Sequence, residues 1–188
     1  MTSSQPTSWG KHAPDPTYLR AVFDITERRI ETRWGVPVRI RDVANPFTGD
    51  LDGAEIIVDY DVEIEEAVFV LVHLFGHTVQ WNCSADARAL AFRKGPWDED
   101  HLRALAEYET QACRYSLQLL NEAGFADLDQ WISDFAACDG AYLMHYYRTN
   151  EKRPFRSFWI DDAPKLAPLA IPPFQPTRWL SRFDGVVI

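Results

Sequence analysis

The sequence predicts a mainly helical α+β domain with a small β-hairpin and an extended, Pro- and aromatic-rich C-terminal tail. Three observations predict it. Helical apolar periodicity dominates residues 16 to about 148; two short β-branched runs precede the most apolar helix; and from Lys152 half of the twelve prolines interleave with aromatic residues. A chain of 188 residues is expected to form one domain over 16–150, with a tail over 151–188 packed on it. The Ser-, Thr-, Pro- and Gly-rich segment 1–15 is expected to be disordered.

From Pro16, the residues Leu19, Val22, Phe23, Ile30 and Trp34 share one apolar stripe, and Gly35 is a stop signal. Val36, Val38 and Ile40 alternate with Pro37, Arg39 and Arg41 as a strand would, and a second strand is expected over 54–59. The intervening stretch 45–53 is dense in turn residues, so the two strands are expected to pair as a hairpin. Asp61 is the expected N-cap of the next helix, with Glu63, Glu65 and Glu66 suiting the helix dipole. That helix runs through AVFVLVHLFGHTVQW to about Trp81 and is apolar on every side, which predicts burial all round. A third helix spans 98–123, closed by Gly124, and a fourth runs from Asp127, where Asp127 and Gln130 resemble a capping box, to about Arg148.

Composition excludes several function classes. With 28 acidic and 19 basic side chains, a net charge of −9 and a pI near 5.0, the chain is a poor nucleic-acid binder by bulk electrostatics and carries no polybasic membrane anchor. No apolar run approaches the roughly 18 residues of a membrane span, and the first residues lack a signal-peptide core, so a cytoplasmic protein is expected. Cys83, Cys113 and Cys138 are odd in number, widely spaced and without a CxxC pair, which predicts reduced thiols, not a disulfide framework or a cysteine zinc site. Any metal must then be held by histidine and carboxylate. Of the five histidines, two lie four residues apart.

Those two are His73 and His77, whose imidazoles project from one face of the buried helix. Buried rings need partners, either backbone and carboxylate groups or one divalent ion shared by both. Helical phase selects a third ligand on the next helix: Glu109 points with Leu102, Leu105, Ala112, Ser116 and Leu120, the core-facing set. Glu107 lies about 160° away, grouped with Arg103, Arg114 and Gln118. The alternative for Glu109 is a buried carboxylate paired with another cation.

The pattern His73-Leu-Phe-Gly76-His77, then Glu109-Thr-Gln-Ala112-Cys-Arg-Tyr115 and Leu119-Leu120, resembles the ImmA/IrrE-type zincin-like metallopeptidases over roughly residues 18–121. The resemblance implies a zincin-like core, with His73, His77 and Glu109 as zinc ligands. It departs where the family carries HExxH, because position 74 is Leu, which cannot act as base, acid or hydrogen-bond partner. Proteolysis is therefore not carried over.

The fourth helix offers a replacement. Its apolar stripe of Leu128, Trp131, Phe135, Cys138, Tyr142 and Tyr146 contains Asp139, where a free carboxylate is costly. Asp139 and Tyr142 are the catalytic candidates, Asp139 as base or as a partner orienting a ligand histidine; the alternative is an Asp bonded to a tyrosine hydroxyl or a tail arginine. Gly140 beside it suits a close approach by another group. His145 is a lesser candidate as fourth ligand or acid, and Cys83 could approach the site. Three functions follow. One is a zinc hydrolase with a non-standard base, acting on a small or peptide-like substrate. The second is a two-His, one-carboxylate iron oxygenase acting on an aromatic small molecule, or a haem variant, which needs His145 or Cys83 as a further ligand. The third is a degenerate, non-catalytic binding module. No partner beyond the substrate is indicated, neither nucleic acid nor membrane, and the oligomeric state is left open.

Overall fold

In the computed structural model, the residues described are 9–44, 47–180 and the backbone of 186–187. Asp15 caps helix α1 (Pro16–Trp34), accepting from the Thr17 and Tyr18 N–H groups at 2.8 and 3.3 Å, and Gly35 ends it at φ 66°. Leu19, Val22, Phe23 and Ile30 bury the stripe that the periodicity predicts.

The sheet differs from the expected pairing. Strand β1 (Val38–Arg41) runs parallel to β3 (Ile56–Asp59), with Val38 opposite Ile56. The hairpin is instead β3 with β2 (Gly49–Leu51), a strand inside the turn-rich stretch. The reason is local: Asp52 Oδ1 accepts from Ala54 N and Glu55 N, both at 2.8 Å, and Gly53 takes φ 94°, so the tight turn sits between β2 and β3. A two-residue strand β4 (Val186–Val187) pairs with β2, giving the order β1-β3-β2-β4 and leaving β1 at an edge. Ile40 on that edge is exposed, so the inward alternation stops at Val38.

Helix α2 (Ile64–Cys83) is buried around almost its whole circumference, as expected. Its N-cap is Glu63 and not Asp61, because Asp59 closes the preceding turn by accepting from Asp61 N at 2.8 Å and Val43 N at 2.9 Å. A short helix α3 (Ala85–Ala91), capped by Ser84, follows where the sequence signal is too brief to register. Helix α4 (Glu99–Ala123) begins at the Asp98 cap and ends at Gly124 with φ 97°. Helix α5 (Asp129–Thr149) is preceded by a 3-10 turn at Ala126–Leu128, and the expected capping box does not form. Other partners take both residues: Asp127 accepts from the Tyr18 hydroxyl at 2.8 Å, while Gln130 donates to Asp134 one turn along α5 and to the distant Ala163 carbonyl.

Helix α2 packs most extensively on α4, with α1 on another side and α5 against α4. At the α2–α4 crossing a Cβ on Gly76 would lie 2.3 Å from the Ala112 carbonyl oxygen, so only glycine permits this approach. Ser116 Oγ then donates to the Val72 carbonyl at 2.8 Å, locking the register between the two helices.

Residues 1–8 of the segment expected to be disordered lie outside the described residues. Residues 9–15 are held in place. Trp9 is buried against Phe135 and Trp159, its N–H donates to Glu65 at 2.6 Å, and Lys11 and His12 bond Asp161 and Asp162. The segment after α5 is largely extended and crosses α4 and α2: Leu169 N donates to Arg114 O, and Thr177 N donates to Asn82 Oδ1. No helix among the described residues is long and apolar enough to cross a membrane.

Candidate metal centre

His73 and His77 stand one turn apart on α2, both at most 2% exposed, with ring planes at 86°. Their Nε2 atoms are 2.9 Å apart. Glu109 Oε2, from α4, lies 3.1 Å from His77 Nε2 and 3.3 Å from His73 Nε2. Among the described residues this is the group of histidine and acidic side chains placed to hold a metal ion. Helical phase separates the neighbouring glutamates as expected, with Glu107 exposed and Glu109 turned inward.

The outer contacts decide which way the nitrogen lone pairs face. Gln80 donates its amide N–H groups to the Tyr108 carbonyl at 2.8 Å and to Gln111 at 2.9 Å, so its oxygen faces His77 Nδ1 at 2.8 Å. His77 therefore donates from Nδ1, and in the neutral imidazole the Nε2 lone pair faces Glu109 and His73. Cys113 Sγ lies 3.4 Å from His73 Nδ1. Burial, with Asp139 and Glu109 nearby, pushes that thiol well above its ordinary pKa, so it remains an S–H. Burial alone would raise the Glu109 carboxyl, but the charges and hydrogen bonds of His77 and His73 outweigh it and hold the carboxyl below its usual range.

A lone pair meeting a second imidazole nitrogen and a carboxylate oxygen within 2.9–3.3 Å needs a shared proton or a cation between them. The triangle also fits a metal ion. Tetrahedral bonds of about 2.0–2.1 Å separate ligand atoms by about 3.3 Å, close to the observed edges. The donor set suits zinc and ferrous iron alike.

The three groups form the floor of a cavity of about 370 Å³ walled by aromatic rings, among them Phe69, Trp97, Tyr108, Phe135 and Tyr147. Tyr108 stacks on His77 at 4.6 Å and Phe69 on His73 at 5.2 Å, fixing both imidazoles. Leu74 lines the cavity as well and presents an apolar side chain to the site.

Asp139 comes from α5 into the same cavity, its Oδ2 3.9 Å from His73 Nε2. Neither a tyrosine hydroxyl nor a tail arginine bonds it, and Oδ2 is buried without a hydrogen-bond partner among the described residues. Burial pushes its carboxyl up to about 7, with His73 pulling it down and Glu109 adding to the rise. Tyr142, one turn further along α5, lines the cavity and packs its ring on Phe155 and Phe158 at 5.5 and 5.9 Å, without a hydrogen bond to Asp139.

Two expectations fail. Gly140 admits no close neighbour, since a Cβ there would meet nothing within 4 Å. His145 and Cys83 do not line the cavity; His145 lies on α5 beside Thr149 and the Phe158 ring that follows that helix, and Cys83 is exposed. Gln80, Tyr108 and Cys113 were not anticipated. Gln80 carried a readable signal, a polar side chain three residues after His77 on an apolar helix. The loop residues Arg93, Trp97 and Lys152, which complete the cavity, carry no local pattern that would mark them.

No family model matches the chain, and neither does any curated protein or solved structure.

Proposed function

We propose that the chain is a metal-dependent hydrolase of a small molecule, with zinc held by His73, His77 and Glu109 and with Asp139 as the base. The observation that carries this reading is the triangle of His73 Nε2, His77 Nε2 and Glu109 Oε2 at the floor of an aromatic cavity, beside an Asp139 oxygen that has no hydrogen-bond partner among the described residues. Bound zinc supplies Lewis acidity, which polarises a carbonyl and lowers the pKa of water. Gln80 and Cys113 orient the two imidazoles. Asp139 Oδ2 would accept the proton of the attacking water, the role that Leu74 cannot fill, and Leu74 with the surrounding rings excludes competing water. Tyr142 offers a hydroxyl to the charge that develops on the substrate oxygen. A cavity of about 370 Å³ is at the small end of ligand sites, about 300–1,000 Å³, which favours a metabolite-sized substrate over a peptide.

The two-His, one-carboxylate set on an aromatic pocket without a base at position 74 also suits ferrous iron and an oxygenase. A haem variant has less support, since neither of its required further ligands lines the cavity.

Metal analysis of protein purified without chelator is the test. One equivalent of zinc is expected; Glu109→Gln loses it and Glu107→Gln keeps it. Iron in its place favours the oxygenase. Absence of metal, or its loss in Glu107→Gln alone, overturns the ligand set. In the zinc protein, Asp139→Asn is expected to slow hydrolysis of 4-nitrophenyl acetate by about 10²–10⁴-fold with zinc content unchanged. An unchanged rate removes Asp139 from the reaction.

A further inference from the structure

The charges along the cavity are sorted by depth. At the floor, His73 and His77 are at most 2% exposed, with Glu109 and Asp139 beside them. At the solvent end stand two cations on different loops, the half-buried Arg93 after α3 and the exposed Lys152 after α5. Neither side chain has an ion pair or hydrogen bond with a described residue. Neighbouring arginines are engaged: Arg148 pairs with Glu99 at 3.0 Å, and Arg88 bonds the Trp81 carbonyl and stacks on Trp179.

The wall between floor and mouth adds donors without acceptors. Tyr146 and Tyr147 line it from α5, and neither hydroxyl has a hydrogen-bond partner among the described residues. Trp97 lies against the Tyr147 ring at 4.6 Å, so an apolar face continues up to the cations. Glu66 also lines the cavity, and Arg156 lies close enough to offset its charge. Two cations without an ion pair among the described residues, with Asp98 near enough to Arg93 to feel its charge, and two phenol donors above an aromatic slot favour an anion, because each can meet one without giving up a hydrogen bond to a described residue.

The geometry points to an aromatic organic acid as the substrate class: a ring seated among Phe69, Tyr108 and Phe135, with a carboxylate held at the mouth by Arg93 and Lys152. This deepens the proposed function and rests on it for the reactive end of the ligand, which meets the floor. The carboxylate end depends only on the mouth residues.

The two parts can be tested separately. Quenching of Trp fluorescence, with Trp81 and Trp97 in the cavity wall, reports binding of 3-phenylpropanoate and of its neutral amide to chelator-treated and to zinc-treated protein. The acid is expected to bind about tenfold or more tightly than the amide in both states. Arg93→Gln with Lys152→Gln is expected to abolish that preference while the melting temperature and zinc content stay the same. A preference in the chelator-treated protein that the double variant loses supports the assignment even where no zinc is taken up, which separates it from failure of the metal reading. Equal binding of acid and amide, binding of neither, or a preference that appears only with zinc or that survives the double variant overturns it.

Discussion

Replacing Gly76 with alanine places a methyl group where α2 meets α4. Its Cβ would lie 2.3 Å from the Ala112 carbonyl oxygen, 2.8 Å from the carbonyl carbon and 2.9 Å from Cα, all of them backbone atoms. Ordinary non-bonded contact begins near 3.5 Å, so the helices must separate locally by about 1 Å. Overpacking of this kind costs about 1–3 kcal/mol, and a contact with rigid backbone on both sides belongs at the upper end. Alanine returns about 1 kcal/mol of helix propensity, leaving a net loss of about 2 kcal/mol. For a chain of this length that lowers the melting temperature by about 4–8 °C. The same separation stretches the Ser116–Val72 bond from 2.8 Å and draws Glu109 away from His77, now at 3.1 Å. Zinc affinity is expected to fall about 10–100-fold, as when an outer partner of a metal ligand is lost. Thermal melts followed by circular dichroism and competition with a chromophoric chelator measure the two effects. Gly140→Ala is the companion: with open space around it, it is expected to gain about 1 kcal/mol and leave zinc binding alone. If Gly76→Ala melts and binds zinc like the native chain, or Gly140→Ala is the variant that loses metal, the close approach does not position the site.

Two further predictions concern single contacts. Gln80→Leu removes the acceptor of the His77 Nδ1–H and frees the imidazole to flip, so zinc affinity is expected to drop about 10–100-fold in the same competition assay; a change under twofold would show that the outer contact is idle. Tyr18 donates to Asp127, and burial together with that carboxylate raises its pKa to about 12, against about 10 unfolded. A folded-state pKa above the unfolded one contributes stability that is complete below pH of about 10 and disappears as pH rises through about 12. Urea midpoints of the native chain and Tyr18→Phe are therefore expected to converge over that window, and a gap that stays constant with pH refutes the assignment.

Much of this architecture is legible in the chain. Four long helices are readable because their periodicity is local and the stops at Gly35 and Gly124 act within one turn of the residues they terminate, whereas the N-caps at Asp15 and Glu63 are not among those expected from the sequence. The facing of Glu109 is readable for the same reason, since 100° per residue orients a side chain relative to its own helix. Strand pairing is not local. The turn residues around Asp52 and Gly53 were visible, but that they close β2 onto β3, leaving β1 parallel at the edge, depends on how the sheet lies on α2. Trp9 and Asp127 likewise escape local reading, because each is fixed by a partner more than 50 residues away.

Spacing and phase already placed two imidazoles and a carboxylate on faces that must meet. Only the packing of α2 on α4 through Gly76 brought them to 2.9–3.3 Å, and only Gln80 oriented the His77 lone pair inward. The cavity above them belongs wholly to the tertiary structure, because α5 and loops separated along the chain supply its walls, and no sequence period links residues that meet across a void.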